Sequence, residues 1–240
     1  MIEKKLSIIL PVYNEKESLL VMVRLLNSSL KIETEIIIVH DSLKDNSLES
    51  AKILANEYDN VKIIHNNYGS GVRHAVKAGI ENSRYDIILI TAVDEIFPII
   101  SIEKMLDEII NGNKDFISGT RYSKGGARLG GSLIGSILSK TANKIFNIFS
   151  NVPLSDCTTG IKMMKKNVWT SIELTSNPVG WAFAFELSIK VYLQNFNISE
   201  QPIKSVDRLF GGSSTFKLGP WVKEYLKWFF WGIKKTYKKK

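Results

Sequence analysis

Three features of the sequence predict an α/β fold, with a mostly parallel sheet and helices on both of its faces. Short apolar runs of strand length alternate with segments of helical spacing through the first half of the chain. The gaps between them are short, and polar side chains collect where the runs end. At 240 residues, 44% hydrophobic and 23% charged, the chain has a globular composition and enough material for a sizeable core.

Residues 6–11 form a continuous apolar run ending at Pro11, the pattern of a strand buried on both faces. A helix is predicted over 17–30, a strand over 35–39 and a helix over 47–58. A third strand follows at 61–65, a helix from about 71 to 82, and a fourth strand at 86–91. A helix over 101–110 and a short strand at 115–118 complete a series of right-handed βαβ units. In such sheets ligands bind beyond the carboxyl ends of the strands. The clusters Tyr13-Asn14-Glu15, His40-Asp41-Ser42, residues 66–71 and Asp94-Glu95 all fall there, and none is expected at the strand starts. In the second half, glycine-rich residues 125–135 precede a helix over 136–149, and a polar turn at 156–160 precedes a short strand. A helix over 180–194, an edge strand at 198–203 and a terminal helix from about Leu218 follow.

The net charge of +8 is concentrated at one end. From Lys217 onward eight lysines face only Glu224, a local +7, and three of the five tryptophans lie in the same stretch. This pairing points to an anionic membrane surface and away from nucleic acid, whose binders carry basic residues over the body of the domain. On a helical wheel Trp228, Trp221, Tyr225, Phe229, Val222, Ile233, Leu226 and Phe230 fill one arc. The lysines fill the other, with Trp231 among them. The alternative is a helix packed on the domain's own core. No basic-then-apolar leader opens the sequence, and no apolar run reaches the roughly 20 residues of a spanning helix. The single cysteine, Cys157, fits a reducing compartment. The expected location is therefore cytoplasmic, peripheral on a membrane.

Several strings, in order and spacing, resemble the family-2 glycosyltransferases, in particular the dolichol-phosphate mannose synthase and polyprenyl-phosphate glycosyltransferase branch. They are Pro11-Val12-Tyr13-Asn14-Glu15, Val39-His40-Asp41-Ser42 with Asp45, Asn67-Tyr68-Gly69-Ser70-Gly71, and Asp94 with Pro98. Gly119-Thr120-Arg121-Tyr122 follows, then Asp156 with Thr159-Gly160, and finally Pro202-Ile203 with Arg208, Gly211 and Ser213. The resemblance covers roughly residues 5–217. It implies a GT-A-type transferase domain over 1–217, followed by a basic amphipathic helix over 218–240.

The resemblance also implies roles. Pro11, Tyr13, Glu15, Val39, Asp41, Asp94, Arg208 and Lys217 fall where the family holds a nucleoside diphosphate sugar, with Asp41 on the base. Physical chemistry agrees, since a carboxylate at a strand end accepts from a base N–H and Tyr13 packs on a flat ring. The alternative for Tyr13-Asn14-Glu15 is a helix cap. Gly69 and Gly71 read as a tight turn and not as a phosphate fingerprint, because they follow the third strand. Arg121 and Lys140 are candidates for an acceptor phosphate, Arg because its planar fork matches phosphate oxygens. Asp94, Arg121, Asp156, Glu186 and Arg208 are the candidate catalytic residues, with Asp156 and Glu186 alternatively structural anchors.

Two positions depart from the family pattern. Of the two aspartates the family places after the fourth strand, only Asp94 is present in Ala92-Val93-Asp94, with Glu95 beside it, and Ile96 stands where a further ligand often lies. Asp94 and Glu95 remain as ligands for Mg2+ or Mn2+, which keep several waters and need few protein oxygens. In the final loop position 214 is serine, and Lys217 is the nearest ammonium. The expected reaction is inverting transfer of a sugar from a nucleoside diphosphate sugar to a polyprenyl phosphate. Two alternatives stand beside it. One is transfer to a glycan hydroxyl, with Asp156 as base; the other is a non-catalytic nucleotide-sugar binder at a membrane.

Overall fold

The computed structural model describes residues 4–130, 133–206 and 218–237. Its elements in chain order are β1 (Lys5–Val12), α1 (Lys16–Ser29), β2 (Glu33–His40), α2 (Ser47–Glu57), β3 (Val61–His65), α3 (Val72–Glu81), β4 (Ile87–Ile90) and α4 (Ile99–Ile110). There follow β5 (Phe116–Thr120), β6 (Ala127–Leu129), α5 (Leu133–Ser150), β7 (Lys162–Lys165), α6 (Lys166–Thr170), α7 (Ala182–Leu193), β8 (Ile198–Pro202), β9 (Lys204–Val206) and α8 (Leu218–Tyr237).

A seven-stranded sheet runs in the order β3-β2-β1-β4-β7-β5-β8, and β6 pairs with β9 in a separate two-stranded ribbon. All pairings are parallel except those of β7, which runs against both β4 and β5. The expected edge strand is β8, while α6 and the β6–β9 ribbon carried no periodic signal. The central strands are apolar at consecutive positions because both faces are covered. Leu6, Ile8, Leu10, Ile36 and Ile38 point to the layer holding Leu19, Met22 and Leu26 of α1, Leu54 of α2 and Met105 of α4. Ile9, Ile37, Val39, Ile88 and Ile90 point to the opposite layer with Val76 of α3, Phe146 of α5, Phe183 and Leu187 of α7, and Trp228 of α8. In α1 the buried positions Leu19, Met22, Val23 and Leu26 lie on one face, the spacing that made this segment legible as a helix.

Polar groups do gather at the strand starts, contrary to expectation, and there they close on one another. Glu35, fully buried, accepts from Ser7 Oγ (2.6 Å), Lys62 Nζ (2.9 Å), Arg84 Nε (3.1 Å) and the Arg84 backbone N–H. Burial alone would raise its carboxyl, but the bonds from Ser7, Arg84 and Lys62 hold it at about 2, below its ordinary 4.5. A carboxyl held low in the folded state stabilises the fold above pH 4.5, and that contribution is lost as the pH falls towards 2. We expect a loss of about 2 kcal/mol over this window, allowing for the solvent around Lys62 and Arg84. Urea unfolding at pH 5 and pH 2.5 reads it directly. The stability gap between wild type and Glu35→Gln should narrow on acidification, and a pH-independent gap would contradict the assignment.

The terminal helix differs from the wheel reading in one respect. Its apolar arc is wider than one interface, and the fold divides it. Trp228 is buried, and Tyr225, Phe229 and Ile233 pack partly against the same core cluster. Phe229 meets Phe146 of α5 at 5.6 Å between ring centroids. A Cβ at Gly232 would come within 2.8 Å of Ile189 and of Phe146, so glycine is what lets α8 seat against α5 and α7. Trp231, expected on the lysine side, packs edge-on to Trp228 at 5.1 Å. The only acid of the helix, Glu224, turns inward, accepting from Asn177 N (3.0 Å), Asn177 Nδ2 (2.7 Å) and Trp228 Nε1 (2.9 Å). Val222, Leu226 and Phe230 stay exposed. No helix among the described residues is long and apolar enough to cross a membrane.

Candidate active site

Strand β1 is flanked by β2 on one side and β4 on the other, so the chain order reverses there and a crevice opens at the carboxyl ends. Tyr13 follows β1 as a residue 63% exposed, its side chain open to stacking. Asn14 adopts a left-handed φ of 57°. The turn is tied to the loop after β2: Asp45 Oδ1 accepts from Asn14 N (3.0 Å) and Ser47 N (2.8 Å), and Ser47 Oγ accepts from Glu15 N (2.8 Å). Glu15 itself occupies the cap position of α1 and makes no side-chain cap bond. The string thus stands at the start of α1, with Glu17 as the acid of its first turn, but no side chain closes the cap.

Asp41, at the end of β2, is half-buried and braced by the β3–α3 loop. Its Oδ1 accepts from Asn66 Nδ2 (2.7 Å) and its Oδ2 from Gly71 N (2.7 Å). Asn66 also donates to Gly69 O (2.7 Å) and accepts from Tyr68 N (2.9 Å), so one buried amide shapes the loop and orients the carboxylate. Gly71 sits at φ 121°, and a Cβ there would lie 2.6 Å from Pro178 O, which explains the turn glycine. Arg73 Nη1 donates to Leu174 O (2.8 Å), while its shielded Nε has no hydrogen-bond partner among the described residues. Sequence reasoning placed Asn66 in the polar cluster after the third strand but gave it no role of its own.

His40, in the position of an acid in the family pattern, is buried with its ring 4.8 Å from that of His65, and its Nδ1 donates to Ser42 O (3.0 Å). It is thus part of the scaffold. Val39 is fully buried among the core residues and paired on both sides, with Pro11 of β1 and Ile64 of β3. Pro11 lies beside it in the β1–β2 register.

Asp94 and Glu95 follow β4, both half-buried. Glu95 Oε2 is shielded from solvent and has no hydrogen-bond partner among the described residues. Burial pushes the Glu95 carboxyl up to about 7; Arg121 opposes the rise and the charge of Asp94 adds to it. An orphaned, shielded carboxylate oxygen next to an aspartate suits a divalent cation. Among the described residues no three His, Cys, Asp or Glu side chains converge on one point. Among the described residues, Asp94 and Glu95 are the carboxylates offered to an ion here, and phosphates and water would add further oxygens.

Two residues expected to act on substrate are joined to each other. Arg121 Nε donates to Asp156 Oδ2 (2.7 Å) and its Nη2 to Asp156 Oδ1 (3.0 Å), a bidentate pair with Asp156 fully buried. The guanidinium fork expected to take a phosphate is spent on this carboxylate. Burial would raise the Asp156 carboxyl, but the Arg121 charge and hydrogen bonds bring it below the usual range. Lys162 of β7, which the sequence reading missed, is buried close by. Its Nζ donates to Ser118 Oγ (2.7 Å) and Cys157 O (3.3 Å), and burial lowers its ammonium to about 8. Glu186 is likewise a buried anchor: it accepts from Thr175 N (2.7 Å) and Ser176 N (2.8 Å) and pairs with Lys190 (2.6 Å). Lys140 stands exposed on α5. Arg208 and Lys217 lie outside the described residues.

With this geometry in place, comparison with known proteins is informative. Residues 7–171 match the family model described as glycosyl transferase family 2. The chain belongs to this family. It is 30% identical over 191 residues to the dolichol-phosphate mannosyltransferase of Pyrococcus furiosus, covering 78% of this chain and 53% of that protein. It is 27% identical over 228 residues to the polyprenol monophosphomannose synthase of Mycolicibacterium smegmatis, covering 89% and 85%. The chain thus spans about half the length of the first of these relatives and most of the second. Among solved structures, the glucosyl-3-phosphoglycerate synthase of Mycobacterium tuberculosis with Mn2+, UDP and product superposes with a TM-score of 0.73 at 12% identity, over 96% of this chain and 80% of that one. The same enzyme with Mn2+, UDP-glucose and phosphoglyceric acid gives 0.73 at 13% identity over the same shares. At that identity the likeness establishes the GT-A fold alone.

If Asp41 contacts a nucleotide base, Asp41→Ala should weaken nucleoside diphosphate binding by about 1–3 kcal/mol, the scale of a charged hydrogen bond left unmade. Asn66→Ala, which keeps the carboxylate and removes its brace, should cost less. Calorimetry on both variants decides this, and unchanged affinity in a folded Asp41→Ala protein removes Asp41 from the site.

Proposed function

We propose that the protein transfers a sugar from a nucleoside diphosphate sugar to a polyprenyl phosphate at a membrane surface, with inversion at the anomeric carbon. Family membership and relatives named for dolichol-phosphate and polyprenol-phosphate mannose synthesis support the substrate classes. The observation that carries the choice of acceptor is the buried Arg121–Asp156 pair. A hydroxyl acceptor needs a general base, and the carboxylate suited to that task is locked to a guanidinium with its proton affinity lowered. A phosphate monoester, with its second pKa near 6, reaches the site already largely dianionic and needs positioning instead of deprotonation.

In this reading Tyr13 stacks on the base, Asp41 accepts from a base N–H, and Glu15 lies at the ribose side of the turn. Asp94 and Glu95 are the residues that would hold Mg2+ or Mn2+ against the diphosphate, whose leaving charge the ion would neutralise. Arg208 and Lys217 are retained as diphosphate ligands, and Lys140 as a ligand of the acceptor phosphate. The Arg121–Asp156 pair with Lys162 is assigned to holding the β5 and β7 ends that shape the crevice.

The test is incubation with a panel of nucleotide sugars differing in base and hexose, a short polyprenyl phosphate, and Mn2+ or EDTA. Label should pass into the organic phase with one donor, and more with Mn2+. Binding of a nucleotide sugar with no transfer to any acceptor would favour the non-catalytic alternative.

A further inference from the structure

The segment joining α6 to α7 is held on one side by the β3–α3 loop that braces Asp41, and on the other by the terminal helix. On the loop side, Arg73 of α3 donates from Nη1 to Leu174 O (2.8 Å). A Cβ on Gly71 would lie 2.6 Å from Pro178 O and 2.7 Å from Pro178 Cβ, so Gly71 and Pro178 are in contact with no side chain between them. Gly71 is the residue whose N–H donates to Asp41 Oδ2 (2.7 Å).

On the helix side, Glu224 of α8 is 4% exposed and accepts from Asn177 N (3.0 Å) and Asn177 Nδ2 (2.7 Å), directly before Pro178. Gly180, at φ 52°, packs against the ring of Trp221 in the same helix with no room for a Cβ. Glu186 of α7 fixes the start of the segment by accepting from Thr175 N and Ser176 N. Burial alone would raise the Glu224 carboxyl, but the bonds from Asn177 and Trp228 bring it below its ordinary 4.5. It is therefore ionised at neutral pH, and its bonds to Asn177 are charge-assisted. Trp228 and Phe229 already seat α8 on the core. An apolar residue at 224 would add to that seat without desolvating a charge, whereas the carboxylate fixes Asn177 in one register.

We infer that Glu224 and Asn177 are positioning residues of the nucleotide site: seated through them, α8 sets the place of Pro178, and with it Gly71 and the Asp41 carboxylate. The inference rests on Asp41 as the base contact in the proposed function. The line of contact is short, from helix carboxylate to Asn177, to Pro178, to the Gly71 N–H, to Asp41. The linkage is reciprocal, so a nucleotide that holds Asp41 also holds the first turns of α8 in place.

The experiment is calorimetry of the full chain with UDP and with GDP, alongside amide hydrogen exchange of the protein without nucleotide. Glu224→Ala and Asn177→Ala should each weaken binding of the preferred nucleoside diphosphate by about fivefold or more, with cooperative melting retained. Glu224→Gln keeps Oε1 for Asn177 N and Trp228, and a flip of the Asn177 amide restores the second bond, so its affinity should stay within about twofold of wild type. In an Asp41→Ala background Glu224→Ala should weaken binding no further, since the two residues act in series, whereas a general loss of structure would add in full. The Gly71 amide should exchange faster in Glu224→Ala and Asn177→Ala than in wild type. A folded Asn177→Ala protein with Gly71 exchange and nucleotide affinity both unchanged would overturn the inference, as would full additivity with Asp41→Ala. Faster Gly71 exchange, with affinity unaltered in Asp41→Ala and Glu224→Ala alike, would keep the coupling and remove Asp41 from the site instead.

Discussion

Asp156→Ala is expected to lower folding stability by about 3–5 kcal/mol, the largest effect of any single substitution considered. The carboxylate is fully buried between two cations, Arg121 in bidentate contact and Lys162 nearby. Removing it leaves the guanidinium in a low-dielectric interior without its bidentate partner and takes the negative charge away from beside Lys162. Asp156 Oδ1 also accepts from Thr158 N (3.2 Å) and Thr158 Oγ1 (3.0 Å), so the 156–160 turn loses its anchor as well. Paired replacement by Arg121→Met and Asp156→Leu should recover part of the loss, because it removes the uncompensated guanidinium. Urea denaturation of wild type and the two variants measures this. An Asp156→Ala protein as stable as wild type but inactive would return Asp156 to direct catalysis.

Asp94→Asn is expected to lower kcat by about 10²–10³-fold while sparing the fold. Its basis is that, among the described residues, Asp94 with Glu95 beside it would hold the ion that neutralises the leaving diphosphate. Groups that stabilise developing charge in a water-poor site carry effects of this size. The signature is specific: Mn2+ should tighten nucleoside diphosphate binding to wild type, and this enhancement should disappear in Asp94→Asn while metal-free affinity stays the same. Ala92→Asp, restoring a second aspartate, should strengthen the enhancement. A variant that keeps more than half of wild-type kcat would show that Asp94 takes no part.

The sheet and its helices were legible because burial leaves a periodic trace. The runs at 36–39 and 87–90 are apolar at every position, and α1 repeats its buried residues at helical spacing. The β7 strand was visible as a segment, but not its reversed direction, since a four-residue run says nothing of its neighbours. Lys162 breaks no sequence rule at the start of that strand, yet the sheet buries it completely. The strand ends marked the crevice in advance, and Asp41 and Asp94 follow β2 and β4 on that side. What the sequence could not convey was pairing. Arg121 and Asp156 are 35 positions apart and each looks catalytic alone, as does Glu186 without its Thr175, Ser176 and Lys190 partners. The amphipathic arc of α8 likewise reported apolar surface without saying that the domain itself would cover half of it.

The central claim is that the acceptor atom is a phosphate oxygen, and nuclear magnetic resonance of the product tests it most directly. The protein would be supplied with a nucleotide sugar labelled with 13C at the anomeric carbon, a short polyprenyl phosphate, and an oligosaccharide acceptor in the same tube. The account predicts a lipid-phase product whose labelled carbon couples to phosphorus, in a phosphodiester of inverted configuration. A labelled carbon in a new glycosidic bond to the oligosaccharide, with the polyprenyl phosphate unchanged, would contradict it.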